Sequence, residues 1–311
     1  MAKLLSVVTP CFNEEGNVLE LYERVAKIMA SVPYEYEHIF IDNYSTDATV
    51  AILKGLASKN PSIKLIRNAR NFGFIRSQYH GLLSSRGLAC ILIASDLQDP
   101  PEIILEFIKS WELGFRIVMA TKRSSDEFST MYVIRKIYYK ILTSISDVPL
   151  VKNATGAGMF DREVIEILRK IDDPYPFFRG LVCEIGFPIA LIPFHQPRRM
   201  KGVTNYSFYA LYDTALLGIT NHSKVPLRIM TISGFVISVS SFVIGFVFFI
   251  IKLIAWDYFQ MGIAALLSGV FLLLGLVLFV MGVLGEYIGA IYTYIRKIPH
   301  VVELERINFE K

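Results

Sequence analysis

The sequence predicts an α/β domain with a mostly parallel sheet, followed by an interface helix and a two-helix membrane hairpin. Short apolar strands run into polar loops and then amphipathic helices, the repeat that builds parallel sheets. The run Ala89-Cys90-Ile91-Leu92-Ile93-Ala94 reads as a fully buried strand. It empties into Ser95-Asp96-Leu97-Gln98-Asp99-Pro100-Pro101-Glu102, so carboxylates gather where open α/β sheets place ligands. Residues 229–251 and 258–285 contain no charged side chain. Each stretch exceeds the about 20 residues needed to cross a bilayer.

Composition sets the outer limits. Hydrophobic residues are 53% of the 311, and mean hydropathy is +0.44, with the apolar excess falling after residue 228. That is room for one globular domain and a membrane-bound end. Leu4 to Val8 is too short for the apolar region of a signal peptide, and Pro10 and Asn13-Glu14-Glu15 follow at once. The globular part is therefore expected to stay on the side where it is made. Cys11, Cys90 and Cys183 lack metal-site spacing, and Cys90, inside a strand, reads as a buried free thiol. The net charge of +4 is matched by residues 196–228 alone, where Arg198, Arg199, Lys201, Lys224 and Arg228 face only Asp213. A basic approach to a membrane suits anionic headgroups or a phosphate substrate. The absence of a basic face or motif elsewhere argues against nucleic acid.

Taken in order, Lys3 to Thr9 is the first strand, and Pro10 to Glu15 the turn out of it. Asn13 is placed to cap a helix whose apolar positions are Val18, Leu21, Tyr22, Val25, Ile28 and Met29. Tyr36 to Ile41 is the second strand; Asp42 to Asp47 form its loop, and Asp47 caps a helix over 48–57. Ile63 to Ile66 is the third, with Arg67 to Gly73 leading into a helix that ends at Arg86. On that helix Arg76 either pairs with a diphosphate or is solvated, while His80 reads as packed or surface-borne. Pro100-Pro101-Glu102 opens the helix after the fourth strand. Arg116 to Ala120 is a fifth strand, placing Lys122 and Arg123 beside the ligand edge.

Ser129 to Ser146 is predicted helical, with one apolar face. Thr155 to Arg162 reads as an edge strand entering a helix capped by Asp161, and Ile189 to Phe194 as a further strand. Phe208, Leu211, Tyr212, Ala215, Leu216 and Ile219 make one face of a helix lying in the membrane interface. Lys224 and Arg228 precede the first span; Arg296, Lys297 and His300 follow the second. The positive-inside rule then puts both ends of the hairpin, and the globular domain, in the cytoplasm of a multi-pass cell-membrane protein. Gly285 and Gly289 offer a close-packing face for a second copy, a homo-oligomer.

The chemistry centres on Asp96 and Gln98. Their oxygens suit Mg²⁺ or Mn²⁺, which take one or two carboxylates together with substrate phosphates. Asp99 is either a further ligand or the cap of the next helix.

These motifs carry a resemblance. Ser95 to Glu102 is similar to the D-x-D-L-Q-D-P-P-E segment of family 2 glycosyltransferases that load sugars onto polyprenyl phosphates, relatives of dolichol-phosphate mannose synthase and bactoprenol glucosyltransferase. Thr9-Pro10-Cys11-Phe12-Asn13-Glu14-Glu15 resembles their P-x-Y-N-E-E turn, and Asp42 to Asp47 their D-D-G-S-x-D. Phe178 to Phe187 resembles R-G-L-V-x-W-x-G-F, with Glu184 at the Trp, and Arg199 to Tyr206 resembles R-x-x-G-x-[ST]-K-[YW], with Asn205 at the Lys. Other departures are Ala94 where an Asp is usual, Asn43 and Tyr44 for Asp and Gly, and Gly156 for the Asp of a Gly-Asp-Phe-Arg segment.

The resemblance implies a GT-A catalytic domain over residues 1–205, then an interface helix and basic linker at 206–228. Two spans at about 229–251 and 260–286 follow within 229–297, and a cytoplasmic tail occupies 298–311. It implies an Mg²⁺- or Mn²⁺-dependent inverting transfer of sugar from a nucleoside diphosphate sugar to a polyprenyl phosphate for cell-envelope glycans. Asp96 and Gln98 would hold the metal, with Asp96 and Arg199 catalytic. Thr9, Pro10, Glu14, Asp42, Arg76, Asp96, Leu97 and Gln98 would bind the nucleotide sugar. Arg123, Arg198, Arg199, Lys201 and Thr204 would meet the acceptor phosphate. The alternatives are transfer to a glycan or glycolipid and a degenerate nucleotide-sugar-binding membrane scaffold.

Overall fold

The computed structural model describes residues 3–125, 150–151, 153–174, 176–197, 225–254, 263–296 and 298–309. An eight-stranded sheet organises the globular part. Its strands are β1 (Leu4–Cys11), β2 (Glu35–Asp42), β3 (Ile63–Asn68), β4 (Ala89–Leu92), β5 (Ile117–Ser125), β6 (Ala154–Asp161), β7 (Ile189–Gln196) and β8 (Glu303–Ile307). The spatial order is β7-β5-β6-β4-β1-β2-β3-β8. Strands β1 to β4 are mutually parallel, β6 runs antiparallel between β4 and β5, and β7 lies parallel beside β5.

The helices are α1 (Val18–Met29), α2 (Thr49–Lys59), α3 (Phe74–Leu83), α4 (Ile104–Glu112), α5 (Arg162–Ile171), α6 (Phe178–Glu184), α7 (Val225–Ile254) and α8 (Ile263–Ile295). Helices α1, α2 and α4 pack Leu21, Leu53 and Phe107 on one face of the sheet; α3, α5 and α6 pack Tyr79, Leu168 and Phe178 on the other. Helix α1 has no side-chain cap but buries Val18, Leu21, Val25, Ile28 and Met29. At about 1.5–3 kcal/mol for each large apolar side chain, that burial outweighs the roughly 1 kcal/mol a cap provides.

Four expectations change. Asn13 does not cap α1; it sits at φ 54° and its side-chain oxygen accepts the Thr46 N–H at 2.8 Å, tying the first loop to the second. The segment from Thr155 is a central strand, because Met159 and Phe160 are buried and a Cβ on Gly158 would lie 2.3 Å from the Val118 carbonyl. Glycine there lets β5 and β6 approach. The 298–311 tail contains β8, which pairs antiparallel with β3. Alternate charges disguise it in the sequence, and their partners hold it: Glu303 bonds His80 at 2.6 Å and Glu305 bonds Lys54 at 2.6 Å. The sheet thus takes its last strand from residues beyond α7 and α8, outside the expected 1–205.

The fourth change concerns the membrane end. Both long helices form, and α7 leaves Ile232 and Phe235 exposed, as α8 leaves Leu278 and Phe279. Among the described residues only Leu273–Ile295, at hydropathy 2.0, is long and apolar enough to cross a membrane, one such stretch where two are expected; α8 itself runs to Ile295, close to the expected end near residue 297. The predicted helix at 129–146 and most of the interface helix, residues 206–224, lie outside the described residues.

Candidate active site

After β3 the chain returns to place β4 on the far side of β1, so the order reverses between β1 and β4. Open sheets bind ligands in the crevice at the carboxyl ends of such strands. Each of the four parallel strands is followed by a residue with positive φ: Asn13 (54°), Tyr44 (71°), Gly73 (88°) and Leu97 (58°). Tyr44, where the resembling motif has Gly, holds φ 71°, so the loop keeps the left-handed turn that favours glycine without having one.

The first two loops interlock. Asn13 N–H donates to the Ser45 hydroxyl at 2.9 Å, Glu14 N–H to the Thr49 hydroxyl at 2.9 Å, and Ala48 N–H to Glu15 Oε2 at 2.8 Å. Asp47 accepts from Thr49 N–H at 3.0 Å and from Glu15 N–H at 3.1 Å, but it precedes the N-cap, Ala48, and α2 has no side-chain cap. Amides then lock the third loop to the second: Asn43 donates to Asn71 Oδ1 at 2.7 Å, and Asn68 donates to Asn43 Oδ1 at 3.0 Å. An Asp at position 43 would lack the first of these donors.

This bonding relocates several expected nucleotide contacts. The Thr9 hydroxyl is fully buried against His38 Nε2 at 2.9 Å, and Pro10 is a buried residue of β1, past its last pairing with β4 at Val8. Glu14 is buried and accepts from Asn17 at 2.5 Å. Asp42 is fully covered, its oxygens accepting the N–H groups of Tyr44 at 3.2 Å and Ser45 at 3.1 Å. Burial pushes its carboxyl up despite those bonds and nearby Arg67. These side chains shape the loops rather than face open space. Arg76 donates to the Pro299 carbonyl at 2.8 Å and lines a small cavity of 90 Å³ with Tyr292 and Arg296, at the root of α8. In this structure its bond ties α3 to the segment that follows α8.

The groups that do assemble are at the ends of β4 and β5 and the start of β6. Asp96 is half-buried, with Oδ1 accepting the Gln98 N–H at 3.1 Å; Leu97 and Gln98 are also half-buried. Asp99 is 5% exposed, and its Oδ1 has no hydrogen-bond partner. Burial raises its carboxyl to about 6 and neighbouring Asp96 adds to this, against Lys122, the Thr155 hydroxyl and Arg179. Capping does not explain Asp99, because the next helical turn begins at Pro101 with no side-chain cap. Asp161, by contrast, caps α5 by accepting the Glu163 N–H at 3.0 Å. Arg123 is exposed on β5, one residue beyond Lys122. Arg198, Arg199, Lys201 and Thr204 lie outside the described residues.

From sequence Asp99 stood between ligand and cap, and Thr155 and Arg179 were not assigned to the site. A second acid after Asp96 and the Phe178-Arg179-Gly180 motif were the available signals. Among the described residues no three His, Cys, Asp or Glu side chains group as a metal cluster. Asp96 beside an orphan carboxylate oxygen still fits a hard divalent cation that takes its other ligands from substrate phosphates and water.

A reversal crevice edged by paired carboxylates and cations defines an α/β protein that handles phosphate-bearing ligands. Glycosyl transferase family 2 matches residues 6–168, and the chain belongs to that family; it is a glycosyltransferase. An uncharacterised glycosyltransferase of Bacillus subtilis is 32% identical over 94% of this chain and 91% of its own. A bactoprenol glucosyl transferase of Shigella phage SfX is 33% identical over 95% and 97%. A prophage bactoprenol glucosyl transferase homolog of Escherichia coli is 32% identical over 96% and 97%. Among solved structures, a glucosyl-3-phosphoglycerate synthase from Mycobacterium tuberculosis aligns with 70% of this chain and 78% of its own, at 18% identity and a TM-score of 0.46.

Proposed function

We propose that this protein transfers a sugar, with inversion, from a nucleoside diphosphate sugar to a polyprenyl phosphate at the cytoplasmic face of a membrane, for use in cell-envelope glycans. The observation that carries this reading is similarity to bactoprenol glucosyl transferases over at least 95% of both chains, membrane-end helices included. An acceptor phosphate with a second pKa of about 6 is largely dianionic at neutral pH. The nucleophile then needs no general base, and the site's task is alignment and stabilisation of the leaving diphosphate. Asp96 and Gln98 would hold Mg²⁺ or Mn²⁺, which supplies charge stabilisation to that diphosphate when bound. Lys122 and Arg123 add fixed positive charge beside them. An open cavity of 560 Å³ at the ends of β2 and β3, lined by Tyr44, Lys54 and Arg67 among others, suits the nucleoside. In this reading helices α7 and α8 are the two-span hairpin, and Arg198, Arg199, Lys201 and Thr204 would meet the lipid-borne phosphate, as the motif resemblance implies.

The test incubates the purified full chain with a panel of labelled nucleoside diphosphate sugars, polyprenyl phosphate, an acceptor glycan and divalent cation, followed by lipid extraction. Label in a lipid phosphate sugar is the expected result. Label appearing only in added glycan, or donor binding without turnover of any donor, overturns the reading.

A further inference from the structure

Strand β8 enters the sheet from beyond α8 and pairs antiparallel with β3, with Glu305 opposite Arg67 and Glu303 opposite Asn68. Between those pairs Leu304 has no register partner, and the strand bulges. Residues two apart on a regular strand share a face, whereas a bulge re-aims one of them. The two glutamates accordingly meet helices on opposite faces of the sheet: Glu303 bonds His80 on α3 at 2.6 Å, and Glu305 bonds Lys54 on α2 at 2.6 Å.

The second contact reaches the ligand edge. Lys54 and Arg67 both line the 560 Å³ cavity at the ends of β2 and β3, and the buried Arg67 Nε has no hydrogen-bond partner. In the Lys54–Glu305 pair the side chains are 42% and 35% exposed, and so exposed a pair contributes little to stability. Its effect is on geometry, because a lysine stem carries large rotamer entropy and the carboxylate restricts it. An ammonium donates hydrogen bonds and accepts none. A lysine fixed at a cavity wall therefore favours a base that presents a carbonyl oxygen there over one that presents an amino group.

We infer that Glu305, supplied from beyond α8, is a positioning residue of the donor site: it holds Lys54 at the cavity wall, where that lysine reads the base of the nucleoside. The inference rests on the proposed nucleoside cavity. It makes the last strand of the sheet a specificity element as well as an edge.

The test measures binding of UDP, CDP, GDP and ADP, each with Mg²⁺, to the full chain in detergent by titration calorimetry. Wild type is compared with Glu305→Gln and Glu303→Gln, and each is melted in the same buffer. All four probes carry the same diphosphate, so a general change in charge cancels in their ratios. Wild type is expected to prefer UDP to CDP, or GDP to ADP, by tenfold or more. Glu305→Gln should narrow that preference at least fivefold with little change in melting. Glu303→Gln, which loosens the strand on the face away from the cavity, should lower the melting temperature and leave the preference within twofold. A wild type that binds without such a preference, a preference unchanged in Glu305→Gln, or equal narrowing in both variants overturns the role of Glu305. Binding of none of the four by wild type instead overturns the nucleoside reading of the cavity.

Discussion

Two buried carboxylates on opposite edges of the same sheet behave in opposite ways. At the amino edge, Glu37 accepts from Lys64 Nζ at 2.5 Å, the Ser6 hydroxyl at 2.5 Å and the Arg86 N–H at 2.7 Å. Burial pushes its carboxyl up, but those donors outweigh it and hold it below the usual range. At the carboxyl edge, Asp99 also has a lysine nearby, yet one oxygen is orphaned, a second carboxylate adjoins it, and it rises to about 6. Burial is common to both; the supply of donors differs. A satisfied network holds a fold together, whereas an unsatisfied one marks a place reserved for another charge.

The largest test of that contrast is Asp96→Ala. Transfer should fall by about 10²–10³-fold, the scale for losing one electrostatic stabiliser of a transition state, while the melting temperature stays near wild type. Normal turnover with added Mg²⁺ or Mn²⁺ would remove Asp96 from the chemistry.

Glu37→Gln should do the reverse, lowering stability by about 3 kcal/mol because Lys64 is left without its buried partner, with specific activity of the folded protein unchanged. Denaturant melts check this, and an unshifted midpoint would make the amino-edge network ornamental.

The smallest test lies between the edges. Burial lowers His38 to about 3 and keeps it neutral, stacked on Phe40 at 4.0 Å. The unfolded chain binds a proton below about 6.5 that the folded chain refuses until about 3. Stability from this group is complete above pH 6.5 and declines as pH falls, by at most about 1.4 kcal/mol per pH unit. His38→Gln should flatten that part of the acid limb; an identical limb would assign it to other groups.

Much of this architecture is legible along the chain. Apolar strand, polar loop and amphipathic helix recur locally, so β1 to β5 and the helices between them follow from periodicity. So does the position of Asp96 at a strand end. Strand β8 was not legible, since Glu303 and Glu305 resemble a solvated tail until His80 and Lys54 are brought beside them. The central place of β6 was equally hidden, because a strand's neighbours are set by packing across the sheet and not by its own residues. Thr9, Glu14 and Asp42 were assigned to ligand by motif alone, and only the interlocked loops show their side chains turned inward.

The linear order of residues was sufficient for the element types up to β7, the family and the carboxylate at the crevice, since those depend on near neighbours. Which polar groups are covered and which stand open depended on segments as far apart as Asp99 and Arg179, or Arg76 and Pro299. Burial and hydrogen bonding between such segments exist only once the chain has closed on itself, so the division between scaffold and chemistry belongs to the folded form.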